Sequence, residues 1–134
     1  MGDGVLSIFP MGDDVSPEEG CRHAINAARS ALAAMGDLKA ERTSKGEEAL
    51  AIGIGINRGV VTYGNIGSPG RLDFTVVGPA VNVASRIQDL CKVLGEPVLA
   101  TTAVASSWPN KFTSCSSHAV HGFANSVEAH GLKA

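Results

Sequence analysis

The stretch Asp73-Phe74-Thr75-Val76-Val77-Gly78-Pro79-Ala80-Val81-Asn82-Val83-Ala84-Ser85-Arg86 changes character at its middle, and that change decides the fold. From Leu72 to Val77 the chain is short, β-branched and aromatic, and reads as a strand. Gly78-Pro79 then opens a helix, because proline suits a first helical position whose N–H would go unpaired anyway. Val83, Ile87, Leu90 and Leu94 recur at helical spacing as a core stripe, and Gly95 stops the run. Asn82 and Arg86 stand at i and i+4, so both project from one face, roughly opposite that stripe. Two readings fit the pair: a solvated polar face completed by Asp89, or donors aimed at a phosphorylated ligand. In the second, Arg86 supplies a fork-shaped cation for a phosphoryl oxygen, and Asn82 an amide to orient a sugar.

Outward from this segment, Ser16-Pro17-Glu18-Glu19 combines an N-cap, a proline at the first helical position and a capping-box glutamate. Cys21, Ala24, Ile25, Ala28, Leu32 and Met35 follow at helical spacing, with Gly36 as the expected stop and a surface loop from Asp37 to Glu48. Val5 to Phe9 reads as a strand leaving a Gly2-Asp3-Gly4 hairpin. Leu50, Ile52, Ile54 and Ile56 alternate with small residues as a further strand. Val60 to Ile66 and Pro97 to Ala100 also read as strands. Thr101 to Trp108 reads as a short helix capped by Thr101 or Thr102. Phe112 to His121 and Ser126 to Leu132 close the chain as a hairpin around Gly122. The fold class expected is α+β: a mostly antiparallel sheet with helices on one face, in a single domain over residues 1–134.

Composition narrows function. The 134 residues are 44% hydrophobic and 18% charged, which suits a globular fold and excludes a disordered chain. Eleven basic against thirteen acidic residues leave a net charge of −2, with no electrostatic footprint for nucleic acid or an anionic membrane. No apolar run is long enough for membrane insertion, and the start lacks a secretory signal. Cys21, Cys91 and Cys115 are odd in number and show no paired spacing, which fits free thiols and a cytoplasmic location.

Two motifs invite chemistry and fail on context. Gly53, Gly55 and Gly59 resemble a dinucleotide fingerprint, but β-prone Val60-Val61-Thr62 follows where a helix must start. Cys115, His118 and His121 have soft-ligand spacing for zinc, yet in a strand 118 faces away from 115 and 121.

The run from Asp73 to Arg86 resembles the signature of the class III nucleotidyl (adenylate/guanylate) cyclase catalytic domain. Gly2-Asp3-Gly4 with Val5 to Phe9 resembles that family's metal-binding hairpin. Gly53 to Gly59 and Tyr63-Gly64-Asn65-Ile66-Gly67 resemble its glycine-rich strand, and Val120 to Phe123 with Val127-Glu128-Ala129 its final hairpin. The resemblance implies a ferredoxin-like cyclase fold whose first strand and following helices lie ahead of Met1. It implies an adenylate cyclase of cyclic-nucleotide signal transduction, converting ATP to 3′,5′-cyclic AMP and pyrophosphate by in-line attack of the ribose 3′-oxygen with two Mg2+ or Mn2+ ions. Asn82 then orients the ribose and Arg86 stabilises the phosphoryl transition state. Thr75 reads the purine edge, Asp3 is one of two metal carboxylates, and His121 stands where the family often holds the triphosphate with Lys or Arg. Asp3 matches the second of those carboxylates; the first, and a purine-contacting lysine, would lie upstream of this chain. The expected assembly is a homodimer with shared active sites, and the alternative is a non-catalytic cyclase-like module that dimerises or binds nucleotide without turnover.

Overall fold

A computed structural model describes residues 5–12, 14–48, 52–66, 73–119 and 126–133. The chain divides into two compact units, Met1–Ile52 and Gly53–Ala134.

The first unit is built around helix α1 (Pro17–Ser44). Ser16 caps it as expected, its hydroxyl accepting from the Glu19 N–H at 3.2 Å, with Pro17 behind it and Glu18 and Glu19 in the first turn. Cys21, Ile25 and Ala28 are its buried stripe. The helix does not stop at Gly36. It runs on through Asp37 to Ser44, where a loop was expected, because Leu38, Lys39, Ala40, Glu41 and Arg42 are all strong helix formers. One interior glycine costs only about 1 kcal/mol against them. The stop falls at Gly46, with φ at +74°, beside a Lys45–Glu41 pair at 3.1 Å and an Arg42–Glu47 pair at 3.1 Å. Residues 5–9, expected as a strand, have no ladder partner among the described residues and Val5 stands exposed; without a partner a strand has nothing to form against.

The second unit carries the sheet. Its elements are β1 (Ile54–Ile56), β2 (Thr62–Ile66), β3 (Asp73–Val77), α2 (Pro79–Leu94), β4 (Val98–Thr101), α3 (Thr102–Ala105), a 3-10 turn at Pro109–Lys111, β5 (Phe112–Ala119) and β6 (Ser126–Leu132). Four strands order as β1-β4-β6-β5, with β1 and β4 parallel and the other two pairings antiparallel; β2 and β3 form a separate antiparallel ladder. The α+β class and the mostly antiparallel sheet are as expected. The one parallel pair requires a crossover, and α2 supplies it. β4 is buried along its whole length, and Ile87 and Cys91 of α2 pack with Leu99 and Ala129, flanked by Val83, Leu90 and Leu94. Each fully buried aliphatic here contributes about 1.5–3 kcal/mol.

α2 can approach β1 only because residue 55 is glycine. A Cβ there would press on the Ala84 carbonyl and lie 2.6 Å from the Gln88 backbone nitrogen, and neither helical atom can rotate aside. Gly55→Ala should therefore destabilise the protein by at least about 2 kcal/mol in a urea melt. Gly36→Ala, in a helix with nothing near its added methyl, should stabilise by about 0.5–1 kcal/mol. Equal stability of Gly55→Ala and the parent would refute this account of the helix–strand contact.

Candidate functional site

The site begins at the corner between β3 and α2. Gly78 has φ +145° and ψ +164°, a conformation that side chains other than hydrogen rarely adopt, and a Cβ would lie 3.2 Å from the Val60 carbonyl. Through that residue the strand passes straight into the helix. Thr75 pairs with Gly64 in the β2–β3 ladder, just ahead of the corner. Asn82 lies in the helix's first turn, its N–H donating to the Gly78 carbonyl at 3.3 Å beside the Val81 N–H at 3.1 Å. One turn further along, about 6 Å up the axis, is Arg86.

Asn82 and Arg86 are both exposed, on the face away from Ile87 and Cys91, as their spacing predicts. Arg86 Nη1 donates to Asp89 Oδ2 at 3.4 Å, in a pair whose side chains are 46% and 64% exposed. An exposed pair of this kind holds loosely, within 0–1 kcal/mol or so, and this bond uses one of the guanidinium's five donors. Asp89 completes the polar face, and the face still presents an amide and a cation to an incoming anion.

Behind this face lies a set of polar contacts, those of Asn57 partly buried, that sequence reasoning missed. Asn57, just past β1, donates from Nδ2 to the Ala80 carbonyl at 3.1 Å, and its Oδ1 accepts from the Thr101 hydroxyl at 2.9 Å. Thr101 is the N-cap residue of α3, one of the two expected, but its hydroxyl is given to Asn57 and makes no bond to the helix's own N–H groups. Gln88 Nε2 donates to the Gly53 carbonyl at 3.0 Å. The only hint of these links in the sequence is a polar residue at the end of an alternating strand. Cys91 is a structural thiol: burial pushes its pKa up, and Sγ contacts the Ile54 carbonyl at 3.5 Å, so the nucleophilic thiolate is disfavoured.

Thr75, Asn82 and Arg86 thus fall on two consecutive elements joined by Gly78. Asp3 and His121 lie outside the described residues. Among the described residues no three His, Cys, Asp or Glu side chains form a group able to hold a metal ion. Of the three residues with zinc-like spacing, Cys115 and His118 lie on β5 and His121 is again outside the described residues. No helix of the described residues is long and apolar enough to cross a membrane.

The family model described as "Adenylate and Guanylate cyclase catalytic domain" matches residues 5–128. An adenylate cyclase of Anabaena cylindrica is 37% identical over 116 residues, covering 84% of this chain and 22% of that relative. An adenylate cyclase of Rhizobium meliloti is 36% identical over 103 residues, covering 75% of this chain and 15% of that relative. The chain therefore spans less than a quarter of the length of these curated relatives. Among solved structures, the adenylyl cyclase of P. aeruginosa superposes with a TM-score of 0.77 at 24% identity, covering 92% of this chain and 65% of that one. This last likeness shows the fold alone.

The loose Arg86–Asp89 pair gives a direct check on the site's electrostatics. Asp89→Ala should change unfolding free energy by no more than about 0.5 kcal/mol, with little dependence on salt. A loss above about 1.5 kcal/mol in a denaturant melt would mean that Asp89 anchors Arg86 tightly and that the guanidinium is not free to meet an anion.

Proposed function

The chain belongs to the adenylate and guanylate cyclase catalytic-domain family, and from that premise we propose that it serves as an adenylate cyclase, cyclising ATP to 3′,5′-cyclic AMP and pyrophosphate in intracellular signalling. The observation that carries the reading is the exposed Asn82 and Arg86, one turn apart on the helix that leaves the Thr75 strand through Gly78. In this reaction the ribose 3′-oxygen forms a bond to the α-phosphorus, the bond from that phosphorus to the bridging oxygen breaks, and pyrophosphate departs. The hydroxyl proton is lost to solvent or a base.

Each residue has a separable task. The Asn82 amide, able both to donate and accept, orients the ribose for in-line attack. Arg86 donates to the oxygens of the transferring phosphoryl group, where its fork meets charge that grows toward the transition state. The Thr75 hydroxyl accepts from the adenine 6-amino group, which guanine lacks. His121 matches the sequence position where the family often holds the triphosphate with Lys or Arg, permanent cations that an imidazole does not replace. Mg2+ or Mn2+, when bound, supplies Lewis-acid neutralisation of the triphosphate, with Asp3 as a ligand. The described residues alone do not make that metal site. A homodimer with shared active sites and a cytoplasmic setting complete the reading, the latter supported by the buried free thiols Cys21 and Cys91.

In the full-length protein, Arg86→Ala should lower kcat by roughly a hundredfold or more and move KM for ATP much less. Arg86→Lys should rescue only in part, since an ammonium does not reproduce the fork. A folded Arg86→Ala protein with undiminished kcat would return this helix to a solvated face, whereas no measurable turnover in the unsubstituted protein would favour the non-catalytic module.

Purine choice tests the Thr75 assignment independently. Initial rates with ATP and GTP under one metal condition should favour ATP by roughly tenfold or more, the scale expected when a site's polar group is left unpaired. Comparable turnover of the two nucleotides would defeat it.

A further inference from the structure

We propose that Asn57 is a positioning residue: its amide sets the first turn of α2, and with it Asn82, against the ends of β1 and β4. The inference rests on the cyclase reading for its kinetic consequence but not for its structural one.

Both ends of the amide are used, and they are not interchangeable. The Ala80 carbonyl can only accept, so Nδ2 must face it, which leaves Oδ1 for the Thr101 hydroxyl. Thr101 is only 6% exposed, so its hydroxyl has little access to water as a substitute partner. Asn57 and Thr101 lie at the carboxyl ends of two parallel strands, and α2 runs back between them, which brings its N-terminus to the same edge. Ala80 is two residues before Asn82 in that turn. Gly59 closes on the same residue, since a Cβ there would lie 2.7 Å from the Ala80 Cβ.

The rest of α2 is held by other means. Ile87 and Cys91 pack with Leu99 and Ala129, Gln88 bonds to Gly53, and Gly55 admits the helix backbone. Gly78 offers no side-chain cap to the first turn. Removing the Asn57 link should therefore let the first turn shift while the helix and its core remain. A shift of about 1 Å in an orienting group costs rate far more than it costs affinity.

The discriminating variant is Asn57→Asp, which keeps an acceptor for Thr101 but sets a carboxylate oxygen against the Ala80 carbonyl. Thr101→Ser, which keeps the hydroxyl, is the conservative partner, and Thr101→Val removes the hydroxyl alone. In the full-length protein, Asn57→Asp should lower kcat for ATP cyclisation by about 10- to 100-fold, with KM changed by less than about threefold. Amide hydrogen exchange should rise at Val81 and Asn82 and stay unchanged around Cys91. Thr101→Val should fall between Asn57→Asp and the parent, and Thr101→Ser should match the parent. Unchanged exchange at Val81 and Asn82 in Asn57→Asp would overturn the proposal, as would exchange rising equally along all of α2. Because exchange is read without turnover, it judges Asn57 even if Arg86→Ala shows the cyclase reading to be wrong.

Discussion

Everything distinctive in the second unit depends on how closely α2 lies on β1. That distance is set where the helix backbone at Ala84 and Gln88 passes over Gly55 with no room for a side chain. Such contact brings Gln88 within reach of the Gly53 carbonyl and places the Cys91 thiol on Ile54, so the helix is fastened to the strand by backbone-directed bonds as well as by apolar burial. The parallel pairing of β1 with β4 follows from the same crossover, and β4, buried on every residue, becomes the centre against which α2 and β6 are assembled. A glycine that costs conformational entropy in a strand is thus offset by packing that no other residue allows.

The helix divides its labour by face. One side, with Ile87 and Cys91, is committed to the core; the opposite side carries Asn82, Arg86 and Asp89 and contributes little to stability. On the proposed reading, this separation lets the polar face be selected for chemistry at little cost to folding. Its weak point is the first turn, where the apolar stripe has barely begun and Gly78 cannot cap. There the protein uses the Asn57 amide and its Thr101 hydroxyl instead of hydrophobic area.

What was legible in the sequence was local. The strand, corner and helix from Asp73 to Gly95 could be read because a glycine-proline pair and a 3.6-residue period mark them within a few residues. The exposed placement of Asn82 and Arg86 followed from the same period. Gly36 misled because a glycine looks like a stop, whereas the sum of helix propensity from Leu38 to Arg42 outweighs it. Val5 to Phe9 misled because strand propensity does not supply a partner, and none stands among the described residues. The Asn57 links were illegible for a different reason: they join residues 23 and 44 positions apart, and no local pattern announces a bond whose partners meet only after the sheet is formed.

The exposure of Asn82 and Arg86 also bears on how such a site reaches catalytic strength. In water, a cation 4 Å from an anion gains only about 1 kcal/mol, while a preorganised donor in a dry site contributes about 3 kcal/mol to the transition state. Arg86, nearly half exposed beside a loosely held Asp89, sits closer to the first regime. For the proposed chemistry the α2 face therefore needs a covering surface that excludes water before its charge acts at full effect. On the proposed reading a second catalytic domain supplies it, so that pairing and chemistry become one requirement: the same docking that brings the remaining ligands would lower the dielectric around Arg86. A face bonded from behind through Asn57 and packed closely on Gly55, yet exposed in front, is the arrangement such a shared site calls for.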